Sequence, residues 1–293
     1  MRALRLSYGA LVIAALLYGI TFVVVKDAVA VFPPFAFVAW RFLLAGSVLL
    51  LASFPRSFGV WRDGTVAGLI LFAGYAFQTG GLMYADASHS ALITALYVVF
   101  TPPIVAVSKK RFPTIWTIFG TFTAFLGIAL LTSDSLSFSW DSGTLLTLGC
   151  AVAFAAHIAF LSHTTHRHRV IQFTAVQLFT VALGGVIGAV VFEGLPLPDP
   201  GIIPAILITG LGVSCLAFLL QVWAQKRIGA NRTAVILTLE PLFGILSASL
   251  ILGERFSPRG WCGAAVILVA IWIVLSKDFD SPSKEAEAIA PVG

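Results

Sequence analysis

The sequence predicts an all-α, polytopic membrane protein whose ten transmembrane helices form an inverted 5+5 repeat. Three observations predict it. Hydrophobic residues make up 59% of the 293 and charged residues only 11%, far below the ~25% charge of a soluble domain. Apolar runs of about 17 to 25 residues, each able to cross a ~30 Å hydrocarbon core at ~1.5 Å per residue, recur ten times. Short patterns in the first five runs return in the second five.

The first run, 7 to 25, follows Arg2 and Arg5 and outlasts the apolar core of a secretory leader, so an uncleaved span is expected. The second, 34 to 53, carries Arg41 about seven residues in, roughly 10 Å deep by helical rise. Gly74, Gly80 and Gly81 in the third run, 64 to 84, let helices approach closely. Pro102 and Pro103 interrupt the fourth, 90 to 108, and Pro113 and Trp116 open the fifth, 113 to 132. The sixth, 143 to 161, holds His157, and the seventh, 171 to 192, holds Gln177. Gly210 and Gly212 lie in the eighth, 201 to 224. In the ninth, 232 to 252, Glu240 stands directly before Pro241, whose missing N–H is expected to leave the Leu237 carbonyl unpartnered. Pro258 and Trp261 open the tenth, 258 to 276, and the polar residues 277 to 293 read as a disordered cytoplasmic tail.

Basic residues set the orientation. With the N-terminus inside, fourteen Lys and Arg fall in inside segments and only Lys26, Arg255 and Arg259 outside, with Arg41 left within a span. This asymmetry predicts a multi-pass protein of the cell membrane with both termini cytoplasmic. The net charge of +5 forms no continuous basic face, which argues against nucleic acid as a partner. Cys150, Cys215 and Cys262 lie in apolar runs without metal spacing and read as buried small hydrophobes, so neither a metal nor a cofactor is expected. The histidines of HTTHRHR, 163 to 169, read as a solvated basic loop.

In the repeat, Phe37, Ala39, Arg41 and Leu43 align with Phe173, Ala175, Gln177 and Phe179, and PTIW at 113 aligns with PRGW at 258. Proline interrupts the fourth run at Pro102 and its counterpart, the ninth, at Pro241. The expected domains are thus two five-helix repeats, 7 to 132 and 143 to 276. Five is odd, so the second copy enters from the opposite side, the plan of an alternating-access carrier.

Two stretches carry a family resemblance. SALITALYVVFTPP (90 to 103) and AVILTLEPLFGILSASLILGERFSPRGWCG (234 to 263) resemble the signature ends of the two EamA-type domains of the drug/metabolite transporter superfamily. The resemblance covers roughly residues 8 to 276, and Glu-Pro followed by LGER is its most specific part. It implies a ten-helix secondary transporter without ATPase subunits, commonly an exporter of amino acids or related metabolites. The superfamily also moves drugs, sugars, nucleotide sugars and purines. Where the family often has Trp-Gly in the first span, this chain has Tyr18-Gly19.

Within the spans, a buried guanidinium at Arg41 suits a substrate carboxylate or an ion pair with Glu240. Glu240 and His157 are each open to carrying a coupling proton or to a structural role. Tyr18, Trp40, Tyr75, Gln78, Thr94, Tyr97, Gln177 and Gln221 supply polar tips on apolar walls, as a pocket for a small amphiphile requires. The partners expected are a small-molecule substrate and the bilayer, with a coupling proton and a homo-oligomer left open. No phosphate-binding GxxxxGK[ST] pattern occurs, and one acid, one arginine and one histidine are thin material for a membrane enzyme, so a carrier is favoured over an enzyme or a channel.

Overall fold

A computed structural model describes residues 2–82, 93–110, 112–131, 142–252 and 257–277. The loop at 132–141, the LGER end at 253–255 and the tail from 278 lie outside the described residues, as does Arg111. Every regular element among the described residues is a helix. In order they are α1 (Arg2–Val31), α2 (Pro34–Ala52), α3 (Phe58–Leu82), α4 (Tyr97–Lys109), α5 (Ile115–Leu131), α6 (Ser142–Thr164), α7 (Val170–Phe192), α8 (Ile203–Ile228), α9 (Ala230–Leu237), α10 (Leu239–Leu252) and α11 (Pro258–Lys277). Six are apolar and long enough to cross a membrane, namely those of α1, α2, α6, α7, α8 and α11, and shorter apolar helices occur at Ile93–Lys109 and Ile115–Leu130. The protein is therefore a multi-pass membrane protein.

Proline and glycine set several boundaries. Pro34 starts α2 at a position where a missing N–H costs nothing. Gly229 alone separates α8 from α9, with φ +78°, a conformation that a Cβ would strain. The breaks within the fourth and ninth runs precede the prolines instead of falling on them. Leu96 (φ −58°, ψ −11°) and Thr238 (φ −64°, ψ −8°) take nearly the same non-ideal turn, and Pro241 then falls in the first turn of the new helix α10. In a first turn the missing N–H has no helical acceptor to lose, which is why the chain restarts there. Pro102 and Pro103 stay inside the continuous helix α4. Residues 208 to 217 of α8 form a π-helical stretch, wider than the α-helix expected, around Gly210 and Gly212.

Packing is organised by close approaches at small residues. Gly46 of α2 lies on Phe179 of α7 while Gly185 of α7 lies on Ala39, so the two helices run antiparallel. Gly120 and Gly127 of α5 lie on Val274 and Ile267 of α11, which are antiparallel by the same reasoning. The first and second stretches do not stand apart as two bundles. The α3 helix packs on α6 and α7, and α4 on α6; likewise α8 packs on α1 and α2, and α9 and α10 on α1. Two mixed groups result, α3–α4–α6–α7 and α8–α9–α10–α1–α2, joined along α2 and α7 and where α9 meets α4 and α6, with the α5–α11 pair to one side.

Side-chain contacts bring the basic connections to one end, through Tyr8 with Arg232, Phe54 with Gln172, Asp63 with His168 and Ser108 with His163. At the far end, the Glu193 carboxylate accepts the N–H groups of Phe35 and Ala36 at 2.9 and 2.8 Å, capping α2. Cys150 is buried as expected, but Cys262 is exposed on α11 beside the exposed Trp261.

Candidate functional site

The site lies where α1, α2, α3, α6, α7 and α8 converge. Arg41 projects from α2 and is 6% exposed. Its guanidinium carbon sits 4.6 Å from the ring centre of Phe42, 5.2 Å from Tyr75 and 5.9 Å from Phe37. Such faces favour a cation by ~0.5–2 kcal/mol, less than a desolvated charge needs. Nε has no hydrogen-bond partner. No ion pair joins Arg41 to Glu240 among the described residues, so the alternative of a structural pair is not realised here. Glu240 sits in the first turn of α10, half-buried, within electrostatic range of the hydroxyls of Tyr18, Tyr75 and Tyr97. Arg41 also acts on Tyr18 and Tyr75. The two opposite charges thus face a common set of tyrosines.

The rest of the wall is aromatic with amide tips. Tyr75 stands edge-on to Phe42 and Phe154, and Tyr18 edge-on to Phe218, at 5.0 to 5.6 Å. Tyr18 donates its hydroxyl to Gln221 Oε1 at 2.8 Å, fixing α1 to α8. His157 Nε2 lies 3.1 Å from Gln177 Oε1, both fully buried, and Gln177 Nε2 has no partner. The Tyr97 hydroxyl, 5% exposed, is also unpartnered. Unmet donors at this depth would be costly in an apolar core and are useful where a polar solute enters.

The remaining candidates have other partners. Trp40, the neighbour of Arg41, turns the other way and donates Nε1 to the Pro196 carbonyl at 3.0 Å, in a cluster with Phe32 and Phe37. Thr94 Oγ1 meets Cys150 Sγ at 3.9 Å, and Gln78 is half-buried a turn beyond Tyr75. Pro102 lies inside α4, and Pro241 follows Glu240 in the first turn of α10. Phe42, Phe154 and Phe218 were missed because apolar rings in apolar runs give no signal of which cavity they face. Among the described residues, no three His, Cys, Asp or Glu side chains gather as a metal site.

One prediction arises here. Tyr18→Phe leaves the Gln221 carbonyl without its donor at 3% exposure, so it is expected to lower stability by ~1–3 kcal/mol. A thermal melt in detergent checks this; an unchanged midpoint would mean that the bond does not hold α1 to α8.

The basic end is tied by a second set of contacts. Asp63 Oδ2 pairs with His168 Nε2 at 2.8 Å, and Oδ1 accepts from Arg62 Nε at 2.9 Å. Burial pushes the Asp63 carboxyl up, but the hydrogen bonds from His168 and Arg62 outweigh it and hold the group below the usual carboxylate range. Its contribution to stability is therefore present above the ordinary carboxylate pKa and lost as pH falls through the depressed one. His168 is stacked on Phe173 at 5.7 Å with its side chain 9% exposed, so the HTTHRHR stretch is only partly a solvated loop; His166, Arg167 and Arg169 are the exposed members. Nothing in the spacing of Asp63, 105 residues earlier, marks it as the partner.

The comparisons agree with this architecture. An uncharacterized transporter of Archaeoglobus fulgidus is 33% identical over 264 residues, covering 90% of this chain and 84% of its own length. A probable amino-acid metabolite efflux pump of Escherichia coli is 24% identical, over 89% of this chain and 92% of its own. A crystal structure of a protein 19% identical in sequence superposes with a TM-score of 0.81, covering 94% of this chain and 99% of that one, so the fold is shared. The model of the EamA-like transporter family matches twice, at residues 5–133 and 141–276, and the chain belongs to that family.

Proposed function

We propose that this chain is a secondary carrier that moves a small amphoteric solute, an amino acid or a related metabolite, out across the cell membrane by alternating access. Arg41 carries the proposal. A buried guanidinium, seated on rings with Nε unpartnered and no acid beside it, is a binding group for an anion that the protein itself does not supply. Glu240, which acts on the same tyrosines, suits the ammonium of the same solute. No covalent chemistry is needed; the energy comes from a gradient or from exchange, with Glu240 or His157 as carrier of a coupled proton. The name of the Escherichia coli relative points to the same solute class.

The transport cycle follows from a ten-span inverted repeat, α9 and α10 being one span broken at Thr238. Supporting it are the antiparallel pairs α2–α7 and α5–α11, which are equivalents in the repeat, and the like turns at Leu96 and Thr238. The basic end is cytoplasmic by the positive-inside rule, with both termini there. The moving bodies are the two mixed groups, since each contains helices from both halves.

Counterflow in proteoliposomes tests the reading, with a panel of amino acids, sugars, nucleosides and cationic drugs, with and without a pH gradient. Trans amino acid is expected to accelerate uptake of its labelled form, with saturation. Flux that neither saturates nor responds to trans solute would indicate a channel. Flux of sugars, nucleosides or drugs alone would keep the carrier and remove the anion-binding role of Arg41.

A further inference from the structure

Two consecutive residues at the end of α8 reach out of their own helix group into the other. Gln225, 1% exposed, donates its amide to the Ile158 carbonyl and, at 3.0 Å, to the Ser162 hydroxyl, both on α6. Lys226 donates Nζ to the His168 carbonyl at 3.2 Å. His168 is in turn pinned to its own group by Asp63 and by stacking on Phe173. One body thus presents two donors, and the other three acceptors in a rigid mounting. The Gln225 Oε1 is buried without a partner, as expected of a residue placed for its donors. Gln221, the partner of Tyr18 at the centre, stands one turn above Gln225, so these bonds lie directly between the centre and the basic end.

At the far end the groups are tied along the α2–α7 seam, where the Glu193 carboxylate accepts the N–H groups of Phe35 and Ala36. In the repeat, α3 corresponds to α8, and near its end stand Gly80 and Gly81, which have no side chain with which to reach across. The extensive contacts of α3 are with α6 and α7, inside its own group. Among the described residues, α8 thus crosses to the other group by side chains at the basic end, whereas Gly80 and Gly81 of α3 do not at the far end.

We propose that Gln225 and Lys226 form the latch of a gate at the basic end, closed in this conformation, which must release Ile158, Ser162 and His168 before the centre opens to that side. The proposal rests on the carrier reading but has its own test. In the full chain with Cys150, Cys215 and Cys262 replaced by alanine, Gln221→Cys serves as reporter, and a membrane-impermeant maleimide is applied to proteoliposomes from each side separately. Gln225→Leu and Lys226→Met are each compared with the latched protein, and monodispersity confirms folding; Lys226→Met, on a half-buried terminal residue, serves should the leucine variant misfold.

Each variant is expected to label about tenfold faster from the basic side, the population shift that loss of one or two buried hydrogen bonds produces. Labelling from the far side is expected to fall in parallel. Faster labelling from the basic side with no fall from the far side would keep the latch and overturn alternating access. Unchanged labelling from the basic side in both variants would overturn the latch, leaving the carrier reading to counterflow.

Discussion

Arg41→Gln is expected to abolish transport of carboxylate-bearing solutes while the protein stays folded. Glutamine keeps an N–H donor but is shorter and gives up the charge and the planar fork that grips a carboxylate. Losing one partner of a buried charge pair costs ~2–5 kcal/mol, so transport efficiency at low solute should fall by about 30-fold to more than 1,000-fold. Stability separates this role from a structural one. Arg41 is 6% exposed with no acid beside it, so its burial is a cost that the rings of Phe42, Tyr75 and Phe37 only partly offset. The variant should melt at or above the parent midpoint without solute, whereas removing a structural ion pair would lower it. Arg41→Lys, with the charge but without the fork, should fall between. Counterflow and a thermal melt on the same preparations check both halves; undiminished amino acid transport in Arg41→Gln would refute the assignment.

The second large effect is expected from Gly19→Leu. A Cβ on Gly19 would stand 2.6 Å from the Glu240 carbonyl oxygen, 2.7 Å from the Gly244 nitrogen and 2.7 Å from the Phe243 Cβ. Two of these three are backbone atoms and the third is fixed to backbone, so none can swing aside. The α1 and α10 helices must separate, and overpacking of this kind costs ~1–3 kcal/mol or more. The separation also moves the first turn of α10, which carries Glu240 and Pro241, so transport should be lost along with several degrees of thermal stability. Gly9 is the control on the same helix: a Cβ there meets nothing within 4 Å. Gly9→Ala should hold or slightly raise the midpoint, because alanine is the better helix former by up to ~1 kcal/mol. A Gly19→Leu protein that melts and transports like the parent would show that α1 and α10 are not in backbone contact.

The helices were legible because a bilayer fixes their length and excludes charge, so that long apolar runs could be read without any tertiary information. The start marked by Pro258 was legible from local chemistry, because proline suits a first helical position. The breaks were misplaced by a few residues. Proline forbids helix continuation from the N-terminal side, but whether the chain bends at Pro241 or restarts before it at Thr238 depends on what packs around that turn. Arg41, Tyr75, His157 and Gln177 stood out as polar tips in apolar runs, yet nothing local said that Arg41 would face Phe42 and Tyr75 instead of Glu240, or that Trp40 would turn toward Pro196.

By itself, the order of residues determined which segments are helical, which connections are basic, that two halves resemble each other, and which few polar groups lie in apolar surroundings. Those properties follow from transfer free energies and backbone chemistry, which act residue by residue. Only the tertiary structure decided that helices of both halves mix in each packed group, that Gln225 reaches Ile158, and that His168 meets an aspartate 105 positions away. Such pairings depend on how helices cross, and crossings are set by small residues such as Gly46 and Gly185 meeting a particular partner across the seam, a non-local match that neither strand of sequence encodes alone.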